Sequence, residues 1–84
     1  MILLFDIGNT NTHVGLANES RVLRQTDIAT AKFLTGNAAA ALRRFVGKSK
    51  ITDAGICSVV PRATPKVQKA VQEIWKLRAM KLTH

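Results

Sequence analysis

The sequence predicts an α/β fold in which helices pack on a mixed β-sheet, in the order β-β-β-α-β-α with room for a last strand. Two observations lead to this prediction. The first 28 residues contain three apolar or alternating segments separated by turn residues, which is the pattern of an antiparallel meander. Two later segments carry apolar residues at helical spacing, with a short apolar run between them. The length of 84 residues predicts one small domain with a marginal core.

Three strands are predicted in the amino-terminal third. Residues 1–6 are apolar up to Asp6 and predict a buried strand, and residues 12–19 alternate well enough to predict a second strand after a short turn. Another turn at residues 18–20 leads into residues 21–28, which alternate again and predict a third antiparallel strand. These segments together predict a three-stranded meander.

The middle of the chain predicts a helix and a strand. Residues 30–46 are rich in alanine and have apolar side chains at helical spacing, which favours a helix. We expect Gly36 to break this helix into two pieces and Gly47 to end it as a C-cap glycine. Residues 53–60 then predict a buried strand that Pro61 stops.

The last part of the chain predicts another helix, over residues 64–77, with Thr64 as the N-cap and Pro65 at the first helical position. Residues 79–84 could begin a fifth strand. A right-handed crossover would place the strand at 53–60 parallel to the first strand. The turn after the first strand would then lie where open α/β sheets bind their ligands.

Composition excludes several classes of protein. A hydrophobic fraction of 46% is too high for a disordered chain, and no apolar run approaches the length of a membrane span, so no membrane partner is expected. The single cysteine, Cys57, cannot form an internal disulfide; we expect it to be buried and the protein to be cytoplasmic. The formal net charge is +8, and all thirteen basic residues lie beyond residue 20, so this part of the chain should attract anions in general.

The stretch DIGNTNTH, residues 6–13, has the parts of a phosphate-binding hairpin. Asp6 ends the first strand and could hold Mg²⁺ through water, and Gly8 would let backbone N–H groups approach phosphate oxygens. Neutral donors follow in Asn9, Thr10, Asn11 and Thr12. Because a strand follows, this is neither a P-loop nor a dinucleotide fingerprint. The same residues also suit an ordinary turn without a ligand.

The segment FDIGNTNTHVGLA resembles the first phosphate motif of the superfamily of acetate and sugar kinases, heat-shock protein 70 and actin. Together with ICSVVPRATPKVQKAV, it resembles type III pantothenate kinases along the whole chain. The resemblance implies a ribonuclease H-like, actin-like ATPase half-domain over residues 1–84, the amino-terminal part of a longer kinase whose second domain is absent.

For function, the resemblance implies transfer of the γ-phosphate of ATP to pantothenate, the first step of coenzyme A biosynthesis. It implies Mg²⁺, a monovalent cation (K⁺ or NH₄⁺) and a homodimer. The cofactor-binding residues that it implies are Asp6, Ile7, Gly8, Asn9, Thr10, Asn11, Thr12 and His13, with Asp6 at the metal.

Two features depart from the family pattern. Superfamily members often carry a lysine where His13 stands, so an exposed strand histidine without a ligand is the favoured interpretation of that residue. The family's general-base aspartate lies in a Gly-x-Asp-Arg segment, which none of Asp6, Asp27 and Asp53 matches. We therefore assign no catalytic residue and expect no significant kinase activity from these residues alone.

Two alternatives stay open at the level of sequence. A fragment of another sugar or acid kinase would share the phosphate hairpin, and only the Ser-Val-Val-Pro segment favours pantothenate. A basic nucleic-acid-binding module would use Arg62, Lys66, Lys69 and Lys76. It is the less favoured interpretation, because Trp75 belongs to the apolar stripe of its helix and is not available to stack on bases.

Overall fold

The computed structural model describes residues 1–82, and in this part of the chain five strands form one mixed sheet. The strands are β1 (Ile2–Ile7), β2 (Asn11–Ala17), β3 (Val22–Ala29), β4 (Asp53–Ser58) and β5 (Met80–Lys81). Their order across the sheet is β3-β2-β1-β4-β5. β1 pairs antiparallel with β2 and parallel with β4, and β2 pairs antiparallel with β3, which confirms the predicted meander and the parallel placement of β4.

Three helices are described, and their buried side chains pack on one face of the sheet. They are α1 (Thr30–Leu34), α2 (Ala39–Val46) and α3 (Thr64–Trp75). Gly36 separates α1 from α2 and has a φ of +78°, which glycine adopts without a side-chain clash, so the chain breaks where the sequence predicts. Gly47 ends α2 with a φ of +60°, as expected for a C-cap glycine. The longest of these helices has 12 residues, too few to cross a membrane.

The core lies between the sheet and the helices. In β1, the buried Leu3, Phe5 and Ile7 alternate with residues on the other face. The helices add the buried side chains of Phe33, Leu42, Val46, Val67 and Val71. The rings of Phe5 and Phe33 meet edge to face with centroids 6.2 Å apart, a favourable aromatic geometry. β1 is therefore the central strand of the sheet and packs against the helices, so the residues at its carboxyl end have a well-defined position.

Two details of the predicted elements are wrong. The N-cap of α3 is Ala63 and not Thr64, because a turn in which the Ala63 N–H donates to the Val60 carbonyl (2.9 Å) lets the helix begin at Thr64. Cys57 is half-buried and not buried, because it lies on the sheet face opposite to the helices.

Several predicted ends also shift. β2 and β4 each end two residues earlier than predicted, and α3 ends at Trp75, where Lys76 takes a left-handed conformation with a φ of 59°. The predicted last strand is present as β5, while residues 83–84 of that prediction lie outside the described residues.

Candidate functional site

The hairpin turn, residues 8–11, joins β1 to β2 at the carboxyl end of β1. The Gly8 N–H donates to the Asn11 carbonyl at 3.0 Å and closes the turn. A Cβ on residue 8 would lie only 2.9 Å from that same oxygen, so this close approach needs glycine. The side chains of Asn9, Thr10 and Asn11 are exposed at the tip. The turn thus offers amide and hydroxyl groups to solvent around a tightly closed backbone.

Thr30, the first residue of α1, hydrogen-bonds the backbone of the hairpin turn. Its N–H donates to the Thr10 carbonyl at 2.9 Å, and its hydroxyl donates to the Gly8 carbonyl at 2.7 Å. The Thr12 hydroxyl lies 2.9 Å from the Thr30 hydroxyl and, since the latter donates to Gly8, acts as the donor between them. Both threonines are buried. The shape of the turn is therefore fixed by the protein before any ligand binds.

Asp6 lies beside the hairpin turn, exposed on the sheet face opposite to the helices. The strand register places it next to His13 on β2 and Cys57 on β4. His13 in turn lies opposite Asp27 on β3, and its Nδ1 hydrogen-bonds an Asp27 carboxylate oxygen. A row of polar side chains therefore crosses four strands just below the turn.

Asp6 fits a magnesium ion that arrives with a polyphosphate. Such an ion commonly keeps several waters and is held by one or two carboxylates plus phosphate oxygens. Residues 1–82 contain no group of three or more His, Cys, Asp or Glu side chains able to hold a metal by themselves. One exposed carboxylate beside the hairpin turn suits an ion whose other ligands come from substrate and water.

The second motif of the sequence lies at the same edge of the sheet. Directly after β4, the Val59 N–H donates to the Ile7 carbonyl at 3.2 Å, which ties this segment to the base of the hairpin turn. The Ser58 hydroxyl donates to the Val60 carbonyl and accepts from the Val60 N–H, both at 3.0 Å, so the chain turns sharply before Pro61. The two motifs that carry the resemblance are neighbours in the fold.

The structure divides the predicted site residues into two groups. Those with exposed or half-exposed positions at the turn are Asp6, Gly8, Asn9, Thr10, Asn11 and His13. Ile7 and Thr12 are buried: Ile7 packs in the core, and Thr12 bonds Thr30. Sequence reasoning missed Asp27 and Thr30. The register of β2 against β3 places Asp27 opposite His13, and Thr30, directly after β3, bonds the turn.

The chain is similar to known proteins over most of its length. A model of the family described as type III pantothenate kinase matches residues 2–84, which include the hairpin turn and the segment after β4. The chain belongs to the type III pantothenate kinase family. A type III pantothenate kinase from Frankia alni (strain DSM 45986 / CECT 9034 / ACN14a) is 33% identical over 72 residues, which is 84% of this chain. The chain spans 29% of the length of that curated relative.

Two solved structures resemble the fold of this pantothenate kinase family member. Both are Ppx/GppA proteins from Aquifex aeolicus, with TM-scores of 0.58 and 0.53 and sequence identities of 11% and 12%. They cover 98% of this chain, which in turn covers 34% and 35% of theirs. At such identities the likeness concerns the fold alone, and it confirms the predicted actin-like ATPase type of fold.

Proposed function

We propose that these residues form the amino-terminal, ATP-phosphate-binding part of a type III pantothenate kinase. The observation that carries the proposal is the hairpin turn, closed by Gly8 against Asn11 and held by Thr30 at the carboxyl end of the central strand. Membership of the family supports the substrates, ATP and pantothenate, and the reaction, transfer of the γ-phosphate.

In this proposal the turn binds the phosphates of ATP. The exposed side chains of Asn9, Thr10 and Asn11 donate hydrogen bonds to phosphate oxygens, together with backbone N–H groups at the tip. Asp6 holds Mg²⁺ through water, and the ion, when bound, neutralises phosphate charge. Because Thr30 fixes the turn beforehand, ATP binding needs little reordering of the backbone.

The remaining chemistry is proposed to lie outside residues 1–84. Asp6, Asp27 and Asp53 are followed by isoleucine, isoleucine and alanine, so none of them matches the family's general-base segment. Phosphoryl transfer depends on positioning and on charge neutralisation from both sides of the phosphate. We therefore propose that these residues bind ATP without turnover. The monovalent cation (K⁺ or NH₄⁺), the homodimer and the cytoplasmic setting belong to the same proposal for the whole kinase.

A calorimetric titration with magnesium-ATP tests the proposed site. We expect Asp6→Ala to weaken binding about tenfold or more, since a charge-assisted contact contributes about 1.5–3 kcal/mol. Asp53→Ala is the matched control: it removes the same charge at the opposite end of the sheet and should leave affinity unchanged. An equal loss in both variants, or no binding to the unmodified chain, would contradict the phosphate site.

A coupled assay of ADP release tests the proposed location of the base. With pantothenate and magnesium-ATP present, we expect no turnover above background. A rate on the order of 1 s⁻¹, ordinary for an enzyme, would show that these residues already contain the base.

A further inference from the structure

A second cleft lies on the helical side of the molecule, away from the hairpin turn. It has a volume of about 310 Å³ and opens between α3 and the connection from α1 to α2. None of the residues that line it belongs to residues 6–13. Its volume is at the lower end of the range for small-molecule sites, and too small to enclose an element of a partner protein.

The floor of this cleft is apolar. Phe33, only 2% exposed, forms its base, and the half-buried Ala70 and Ile74 of α3 form one wall. Ala38 and Ala39 stand on the α2 side, where their short side chains leave the space open. An apolar group of a ligand would contact these side chains and would leave water on binding.

The rim of the cleft is basic. Arg43 from α2 faces Lys66 and Lys69 from α3, with Glu73 as the one acidic residue among the lining side chains. Within residues 1–82 the sole ion pair joins His13 to Asp27, so neither Glu73 nor another carboxylate forms a salt bridge with these three cations. Like charges gathered at one small concavity repel each other, and an anion between them would lower that repulsion.

We propose that this cleft binds a small organic phosphate. The doubly charged phosphoryl group lies between Arg43, Lys66 and Lys69, and the short apolar part of the ligand lies on Phe33 and Ile74. Three cations match a dianion better than a monocarboxylate, and the guanidinium of Arg43 suits two phosphate oxygens at once. The site is independent of the ATP phosphates, since the two sets of residues do not overlap.

Titration of the ¹⁵N-labelled chain with phenyl phosphate, followed by amide chemical shifts, tests this proposal. Inorganic phosphate and phenol serve as separate probes of the charged and apolar parts. We expect phenyl phosphate to shift the amides of Phe33, Gly36, Ala39 and Ala70, and to bind more tightly than either probe alone. Asp6→Ala should leave this binding unchanged, which separates the cleft from the ATP site.

Two triple variants of equal net charge test whether the three cations at the rim bind the phosphoryl group. Arg43→Gln/Lys66→Gln/Lys69→Gln removes the rim, and Arg44→Gln/Lys48→Gln/Lys50→Gln removes one arginine and two lysines elsewhere on the surface. We expect the first to weaken phenyl phosphate binding about tenfold or more and the second by less than about twofold. Equal losses would overturn the proposal in favour of general charge attraction.

A single substitution provides a second test in case the first triple variant folds poorly. Ala70→Glu keeps a good helix former on α3 and places a carboxylate in the cleft, so it should abolish the amide shifts caused by phenyl phosphate. Undiminished shifts in this variant, equal affinity for phosphate and phenyl phosphate, or shifts confined to the hairpin turn would each overturn the proposal.

Discussion

Two buried hydroxyl groups determine the shape of the hairpin turn. The Thr30 hydroxyl donates to the Gly8 carbonyl and accepts from the Thr12 hydroxyl. Its removal would leave the buried Thr12 hydroxyl and the partly buried Gly8 carbonyl without this partner, whereas removal of the Thr12 hydroxyl leaves the bond to Gly8 intact. The two threonines therefore contribute unequally, although they share one hydrogen bond.

Valine substitutions at these two residues test this inequality. We expect Thr30→Val to lower the free energy of unfolding by about 1–3 kcal/mol and Thr12→Val to lower it by less. The double variant should be little worse than Thr30→Val alone, because the second change removes a hydroxyl that has already lost its partner. Urea denaturation measures all three, and a larger loss for Thr12→Val would show that the bond to Gly8 contributes little.

The sequence predicts the residues of the site that act through local geometry. Gly8 and the polar tip are recognisable because a tight turn between strands has its own residue preferences. Asp27 and Thr30 are not recognisable in this way, because the pairing of β3 with β2 brings each of them to partners 14 or more residues away in the chain. Nothing in the local sequence reports that register.

Among the secondary-structure elements, β3 is an edge strand whose Arg24 side chain contacts α2. The Arg24 guanidinium lies 5.5 Å from the centroid of the Phe45 ring and donates to the Val46 carbonyl at 3.3 Å. The planar guanidinium can stack on the ring while its N–H reaches the carbonyl, a combination that a lysine ammonium does not reproduce. Arg24 therefore connects the sheet edge to the helical layer.

A conservative substitution tests this connection. We expect Arg24→Lys to lower the free energy of unfolding by about 1 kcal/mol, while the net charge stays the same. Arg21→Lys, in the exposed turn before β3, is the control and should change stability by less than about 0.5 kcal/mol. If thermal or urea unfolding shows equal effects, the contact with Phe45 and Val46 adds nothing to stability.

Element types were predictable because apolar spacing reports which face of a segment is buried. The ends were less predictable because they depend on neighbours. β4 ends at Ser58 because the Ser58 hydroxyl accepts from the Val60 N–H and the chain leaves the sheet. The helix α3 begins at Thr64 because the Ala63 N–H already bonds the Val60 carbonyl in the preceding turn. Gly36 and Gly47 were placed correctly, since a positive φ is a local demand that glycine satisfies by itself.

At the scale of the whole molecule, opposite charges lie on opposite sides of the sheet. The register places Asp6, Asp27 and Asp53 on the face away from the helices. They are three of the five acidic residues in the chain, whose net charge is +8. The helices and their connections hold most of the thirteen basic residues, so the helical side carries a concentrated positive field.

This field makes stability depend on salt. We expect the free energy of unfolding to rise by on the order of 1 kcal/mol between about 20 mM and about 0.5 M NaCl, because screening weakens the repulsion among the cations. The Arg44→Gln/Lys48→Gln/Lys50→Gln variant carries three fewer positive charges and should show a smaller rise. A fall in stability with salt would show that attraction outweighs repulsion at low ionic strength.

The position of β1 in the middle of the sheet has a consequence for synthesis on the ribosome. β1 pairs with β2 at once, but its other neighbour, β4, begins only at Asp53. At a translation rate of about 5–20 residues per second, the apolar β1 waits roughly 3 to 10 s with one edge unpaired. The nascent meander is therefore an open-edged sheet during that interval, and chaperones or neighbouring nascent chains can reach that edge before β4 covers it.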